Sequence, residues 1–220
     1  MKITVLGSGG WGTALALLLT DNGHDVTLWS HSARRSALLE QARENPRLPG
    51  VPLPEALHLS AALDSLRESG AVVMATPSFA VRETARMAAP LLREDAVVVS
   101  AAKGVERDTA LCMTQVIEEE LGGKGRVAAL SGPSHAEEVG RRAPTGCVAA
   151  STDMAAAGLV QDGFMSIIPL YRGPHFLHGL LHALPLSDQD PAPPVPGVHG
   201  GTRHDQVSHE LDLILFLERK

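Results

Sequence analysis

Short, almost continuous runs of apolar residues alternate along the chain with segments in which apolar residues recur every three or four positions. The runs are rich in valine, which is typical of strands buried on both faces of a parallel sheet. The alternation of strand and helix predicts right-handed crossovers with helices on both faces of that sheet. The predicted strands are Lys2–Leu6, Asp25–Trp29, Ala71–Ala75, Ala96–Ser100, Arg126–Ser131 and Thr145–Ala150.

Three apolar stripes at helical spacing predict helices between and after these strands. We expect the stripes to be core faces rather than ligand-binding surfaces. They consist of Ala85, Ala88, Ala89 and Leu92; of Met113, Val116, Ile117 and Leu121; and of Ala156, Leu159, Val160 and Phe164. Residues 44–56 contain four prolines and predict an extended surface loop.

A glycine-rich segment, Gly7-Ser8-Gly9-Gly10-Trp11-Gly12, joins the first predicted strand to a helical stretch. This order of strand, glycine turn and helix N-terminus is the fingerprint of a dinucleotide pyrophosphate site. Gly7 permits the sharp turn, Gly9 lets the backbone approach the phosphates, and Gly12 lets helix and strand pack closely. The free N–H groups of the helix N-terminus attract the anion. The alternative is a chance glycine turn in an ordinary α/β protein.

The end of the second strand of such a fold selects between NAD and NADP, because an acidic residue there binds the ribose hydroxyl of NAD. Here the strand is followed by His31, Arg34 and Arg35, with no acid at its tip. These residues could face a 2′-phosphate, so we expect NADP to be accepted, and the cofactor to be NADP or NAD. The arginines could instead be the solvated start of a helix.

Three further segments follow predicted strands, at the edge where open α/β sheets bind ligands. They are residues 75–78, residues 100–106 with Lys103, and residues 130–138 with Gly132 and Ser134. Lys103 could bind a phosphate or polarise a carbonyl, or it could be an ordinary surface lysine. The Gly-Pro-Ser turn before a helix presents N–H groups and a hydroxyl to an anion.

The pattern changes after about Ser166. Residues 167–220 hold seven of the 15 prolines and six of the 10 histidines. We therefore expect a doubly wound Rossmann-type domain over residues 1–166 and a divergent, poorly structured tail over residues 167–220. His175, His178 and His182 could share a helix face, but metal binding is not favoured because no carboxylate with clear geometry accompanies them.

Composition narrows the function classes. The 220 residues are 44% hydrophobic with a formal net charge of −6, which argues mildly against a nucleic-acid partner. Cys112 and Cys147 lie in apolar surroundings, and we expect both to be buried thiols in a reducing compartment. No signal peptide or membrane-spanning run is recognisable, so we expect a cytoplasmic protein.

Together, GSGGWGTALA at 7–16, the segment around His31, AAKGVE at 101–106 and SGPSHAEEV at 131–139 resemble bacterial-type NAD(P)-dependent glycerol-3-phosphate dehydrogenase. The resemblance is collinear from Met1 to about Ser166. It implies reduction of dihydroxyacetone phosphate to sn-glycerol 3-phosphate. By resemblance, the cofactor contacts are Gly10, Trp11, His31, Lys103 and Ala136, and the substrate contacts are Lys103, Gly132 and Ser134.

The chain also departs from that family. The family usually has serine at the position of Gly10, so a side-chain contact there is lost. Its members continue into a helical domain with a catalytic lysine and an arginine-containing phosphate site, and that motif is absent here. No lysine lies between Lys124 and Lys220, so no catalytic residue is identified.

We therefore expect a truncated or frame-shifted member that binds NADPH weakly and has little turnover. The alternatives are a non-catalytic NAD(P)-binding fragment and a related Rossmann hydroxy-acid reductase. An uncovered sheet edge would favour association, for example as a homodimer.

Overall fold

The computed structural model describes residues 1–132, 134–164 and 170–173, which form one mixed sheet flanked by helices. The strands are β1 (Lys2–Leu6), β2 (Asp25–Trp29), β3 (Leu57–Ser60), β4 (Ala71–Met74), β5 (Val97–Ser100), β6 (Arg126–Ser131), β7 (Cys147–Ala150) and β8 (Leu170–Gly173). The helices are α1 (Gly10–Asp21), α2 (Ala33–Ala42), α3 (Ser78–Ala88), α4 (Met113–Leu121), α5 (Ala136–Gly140) and α6 (Met154–Phe164). Short 3₁₀ turns occur at Asp64–Arg67 and Ala89–Leu91.

The sheet order is β3-β2-β1-β4-β5-β6-β7-β8, and the first six strands in this order run parallel. This is the doubly wound arrangement expected from the sequence. The winding direction reverses between β1 and β4, which are adjacent in the sheet. A ligand site is expected at the carboxyl ends of the strands beside such a reversal.

The six predicted strands are present, with ends that differ by at most two residues. β3 was missed because it is a four-residue edge strand whose side chains are mostly not buried, so it carries no apolar run. The three predicted helical stripes fall on α3 with the turn after it, on α4 and on α6. Their innermost residues are fully buried, which confirms them as core faces.

β7 differs from the expectation of a parallel strand, since it pairs with β6 in the antiparallel direction. The connection between them contains only the five-residue helix α5. A helix of that length rises about 8 Å and cannot carry the chain back along the sheet for a parallel return. The chain therefore re-enters the sheet from the end at which β6 left it.

Successive residues of the central strands pack into two separate layers. Ala71 and Val73 of β4 belong to a layer formed with α1, α5 and α6. Val72 and Met74 belong to the opposite layer, which α3 and α4 cover. Both faces of the sheet are thus buried, which explains the nearly continuous apolar strands in the sequence.

Residues 44–56 form an irregular connection, but the prediction that it is a surface loop is wrong for its inward-facing side chains. Leu48, Val51 and Leu53 join the core layer beneath α1, and Asn45 is completely buried. The prolines exclude regular structure without preventing this packing.

The prediction of two buried thiols is correct for one cysteine and wrong for the other. Cys147 is buried, whereas Cys112 is half-buried at the start of α4.

Four residues of the predicted tail form β8, which pairs in parallel with β7. The rest of the tail, including His175, His178 and His182, lies outside the described residues, so its disorder remains a prediction. Within the described ranges, no helix is long and apolar enough to cross a membrane. The same ranges contain no cluster of three or more side chains suited to a metal ion.

Candidate cofactor- and substrate-binding site

The glycine segment follows β1 at the reversal point of the sheet, and two of its glycines touch backbone that leaves no room for a side chain. Gly7 has a φ of +121°, and a Cβ there would lie 2.7 Å from the carbonyl oxygen of Ala75, which follows β4. A Cβ on Gly12 would lie 1.9 Å from the carbonyl oxygen of Gly7. These two positions pin the turn against the sheet and bring α1 close behind it.

Gly9 is different, because a Cβ there would meet no atom within 4 Å. It is the N-cap of α1 with an ordinary φ of −73°, no side chain caps the helix, and the first turn contains no acidic residue. The first turn of a helix leaves N–H groups without intrahelical acceptors. Open space before such groups fits the approach of a pyrophosphate, so the residues present suit a dinucleotide. We call residues 7–13 the glycine cradle.

Gly10 brings two other elements to the cradle. A Cβ on Gly10 would lie 2.6 Å from the carbonyl oxygen of Arg47 and 3.6 Å from the Cβ of Ala136. Ala136 begins α5, so this candidate cofactor residue does lie beside the cradle. A larger residue at position 10 would require the connection that carries Arg47 to move.

Asn45 is a residue of the candidate site that sequence reasoning missed. Its amide nitrogen donates to the carbonyl of Ser8 at 3.2 Å and to the hydroxyl of Thr13 at 2.7 Å. Its amide oxygen accepts from the backbone of Arg47 at 3.0 Å. Asn45 therefore ties the proline-rich connection to both ends of the cradle. The Asn-Pro pair was a signal for a turn, but nothing local indicated these distant partners.

The basic residues after β2 divide into two kinds. His31 and Arg34 are exposed, whereas Arg35 is half-buried and donates to the carbonyl of Ser8 at 3.1 Å. Burial lowers the pKa of Arg35, and the nearby charge of Arg47 lowers it further. Since burying a cation near another cation is unfavourable, this corner of the site is suited to an anion. Arg47 was not among the residues singled out from the sequence.

Trp11 connects the cradle to the segment that follows β5. Its indole N–H donates to the carbonyl of Ala101 at 3.1 Å, at the carboxyl end of β5. The ring is half-buried and packs against the core layer of α1. Trp11 therefore fixes the distance between the cradle and the segment that contains Lys103.

Lys103 and Ser134 meet at one carbonyl oxygen, that of Gly132. The Lys103 ammonium donates to it at 3.2 Å, and the Ser134 hydroxyl donates to it at 3.3 Å. Gly132 has a φ of +156°, and a Cβ there would lie 2.6 Å from the carbonyl of Gly146. The three residues expected to bind substrate are thus brought together. We call them the substrate edge.

A parallel sheet whose first strand leads into a glycine cradle at a helix N-terminus defines a Rossmann-type dinucleotide-binding domain. Residues 2–157 match the family model described as NAD-dependent glycerol-3-phosphate dehydrogenase N-terminus. The chain therefore belongs to the glycerol-3-phosphate dehydrogenase family and carries the NAD-binding N-terminal domain of that family.

Individual relatives agree with this assignment. The glycerol-3-phosphate dehydrogenase (NAD(P)+) of Fusobacterium nucleatum is 42% identical over 178 residues, which cover 78% of this chain and 52% of the relative. The enzyme of the same name from Moorella thermoacetica is 47% identical and covers 78% of this chain and 50% of the relative. The crystal structure of glycerol-3-phosphate dehydrogenase from Coxiella burnetii superposes with a TM-score of 0.73 at 31% identity, over 80% of this chain and 55% of that one. The chain spans about half the length of the curated relatives it matches.

Proposed function

We propose that this chain binds NADPH or NADH in the glycine cradle and provides the cofactor-binding part of an enzyme that reduces dihydroxyacetone phosphate to sn-glycerol 3-phosphate. The observation that carries the proposal is the position of the cradle beside the substrate edge. Trp11 joins the two through its bond to Ala101, two residues before Lys103. A dinucleotide and a small anionic substrate would thus lie next to each other at the carboxyl ends of β1 and β5.

When bound, the nicotinamide would supply a hydride to the carbonyl carbon of the substrate, and the carbonyl oxygen would take up a proton from a general acid. The residues of this chain would orient the substrate and compensate its charge. The ammonium of Lys103 can neutralise a phosphate or the oxygen on which negative charge develops. The Ser134 hydroxyl lies beside the same carbonyl that Lys103 contacts, and it can rotate away from that carbonyl to donate its one hydrogen to the substrate.

One lysine cannot fill both charge-neutralising roles at once. Of the described lysines, Lys103 follows β5. Lys2 opens β1 and Lys124 precedes β6, so both lie at the opposite edge of the sheet. The substrate phosphate and the developing oxyanion each need a positive partner. We therefore expect the 220-residue chain by itself to bind cofactor but to turn over dihydroxyacetone phosphate very slowly.

The basic corner near β2 supports a preference for NADPH. Arg35 is held inside the corner by Ser8, and Arg47 lies close enough to lower the pKa of Arg35. His31 and Arg34 are exposed next to them. A 2′-phosphate would satisfy this concentration of positive charge, whereas the ribose hydroxyl of NADH would not.

The first test is a fluorescence titration of the purified chain with NADPH and then NADH, followed by addition of dihydroxyacetone phosphate. We expect tighter binding of NADPH, with an affinity that falls as salt increases. Gly9→Ala is the variant for this test, because a methyl group at position 9 meets no atom of the fold within 4 Å, and we expect it to take up space that the pyrophosphate needs. It should fold normally and bind NADPH at least about tenfold more weakly, a loss of about 1.4 kcal/mol.

The outcomes separate the candidate functions. Binding without oxidation indicates a cofactor-binding module, and binding with oxidation indicates that the chain forms a complete enzyme. A Gly9→Ala protein with unchanged affinity would show that the cradle does not hold the cofactor. The cytoplasmic location and the homodimer expected from the sequence remain predictions, which cell fractionation and analytical ultracentrifugation would test.

A further inference from the structure

The segment between β5 and α4 is folded into a tight loop directly after Lys103. Gly104 has a φ of +98°, and Val105 pairs with Cys112 in an isolated antiparallel bridge. The backbone N–H of Glu106 donates to the carbonyl of Leu111 at 2.9 Å. Lys103 thus stands at the base of a closed loop.

The carboxylate of Glu106 is the anchor of the loop. Arg82 on α3 binds both of its oxygens, with Nε and Nη2 each at 2.7 Å. Thr109, within the loop, donates a third hydrogen bond at 2.6 Å. The bonds from Arg82 and then Thr109 lower the pKa of Glu106 to about 2, so the carboxylate is charged at neutral pH. Two parallel bonds between a guanidinium and a carboxylate fix orientation as well as distance.

Arg82 is itself held from the other side by α4. Its Nη1 binds Glu120 at 2.8 Å, and its Nη2 binds Glu119 at 2.9 Å. These two contacts join α3 to α4, as do the bonds from Arg86 to Glu120. Glu106 lies on neither helix, so its bond to Arg82 ties the loop to α3.

We propose that Arg82 and Glu106 form a brace that positions Lys103, by fixing the loop after it so that the Lys103 ammonium stays against the carbonyl of Gly132. Arg82 and Glu106 are positioning residues, which act through Lys103 and do not touch the substrate. The importance of the brace for substrate binding rests on the proposed function. The effect of the brace on the position of Lys103 does not depend on that function.

Glu106→Gln and Glu119→Gln are matched variants for the test. Both remove one carboxylate from Arg82, but only the first releases the loop. The chain has four lysines, so ¹³Cε-lysine labelling gives few signals, and Lys103→Arg identifies the one from Lys103. In Glu106→Gln we expect the Lys103 signal to move to the position and line width of a mobile lysine. In Glu119→Gln it should stay as in the parent chain.

Titration with inorganic phosphate gives the functional readout. Its dissociation constant should rise about five- to tenfold in Glu106→Gln, as expected when a charge-assisted contact is no longer held in place. It should change less than about twofold in Glu119→Gln. An unchanged Lys103 signal in Glu106→Gln, or equal changes in both variants, would overturn the proposal.

The two readouts test the substrate role and the brace separately. If the parent chain does not bind phosphate, the proposed substrate role fails, while the Lys103 signal still tests the brace. If Glu106→Gln does not fold, Arg82→Lys replaces it, because lysine keeps the charge but loses the bidentate geometry. The same shift of the Lys103 signal is expected there, and a parent-like signal would contradict the brace.

Discussion

The glycine cradle and the substrate edge lie next to each other but are built in different ways. The cradle is fixed by backbone that touches backbone, as where Gly12 lies under the carbonyl of Gly7. The substrate edge depends on side chains, since Lys103 and Ser134 share one carbonyl oxygen and the loop after Lys103 is held by an ion pair. The cradle should therefore be sensitive to added volume, and the edge to lost charge.

The largest effect is expected from Gly12→Ala. The added Cβ would lie 1.9 Å from the Gly7 carbonyl and 3.1 Å from the Ala75 Cβ, so α1 must move away from β1 and β4. We expect a loss of about 3 kcal/mol or more in the free energy of unfolding. In a chain of this size that corresponds to a melting temperature lower by about 10 °C, which circular dichroism would measure.

Gly163→Ala in α6 is the control for that variant. A Cβ there would be 3.8 Å from His24 and 4.0 Å from Leu19, which are ordinary contacts. Alanine in place of glycine within a helix should be neutral or stabilising by up to about 1 kcal/mol. Equal melting temperatures for the two variants would contradict the view that close backbone contact defines the cradle.

A smaller but more specific effect is expected from Asn45→Ala. Its loss leaves the Thr13 hydroxyl and the Ser8 and Arg47 backbone without the buried amide that joins them. Unsatisfied buried polar groups cost about 1–3 kcal/mol, and we expect the variant to lose about 2 kcal/mol of stability. NADPH affinity should fall as well, because the turn and the Arg47 segment lose their common support.

Asn22→Ala is the control that separates the loss of stability in Asn45→Ala from its loss of NADPH affinity. Asn22 donates to the carbonyl of Gly163 at 2.7 Å, at the end of α1 away from the cradle. Its replacement should reduce stability by about 1 kcal/mol and leave NADPH affinity unchanged. If both variants weakened NADPH binding to the same extent, Asn45 would have no special role at the site.

The two regions also differ in what the sequence could predict. The cradle was recognisable because its glycines are adjacent in the chain and follow a clear apolar strand, so local geometry determines the turn. Asn45 was not recognisable, because its partners Ser8 and Thr13 lie more than 30 residues away and only the fold brings them together. For the same reason the sequence could not indicate that Arg35 turns toward Ser8 while Arg34 faces solvent.

The substrate edge was expected through motif resemblance and position after predicted strands. The shared carbonyl of Gly132 and the Arg82–Glu106 pair were invisible in the sequence, since residue 82 lies on α3 and residue 106 lies in the loop after β5. The antiparallel direction of β7 was missed because the length of α5 could not be read from its short apolar pattern. Pairwise contacts between elements are thus what sequence reasoning lacked.

The smallest effect is expected from acid, and it should separate the two regions most directly. The ordinary pKa of a glutamate is 4.5, and the hydrogen bonds from Arg82 are the main reason that the pKa of Glu106 is lowered to about 2. A lowered pKa means that the ion pair stabilises the loop fully above pH 4.5 and that this contribution disappears as pH falls toward 2. The contacts described around Asn45 join amides, hydroxyls, carbonyls and a guanidinium, which do not titrate in this range.

We therefore expect amide hydrogen exchange in the chain without cofactor to show loss of protection at residues 105–112 between pH 4.5 and 2, before residues 7–13 lose it. Glu106→Gln should remove this pH dependence from the loop, because its side chain carries no titratable carboxyl. Simultaneous loss of protection in both regions would mean that acid acts on the whole fold and not on the brace.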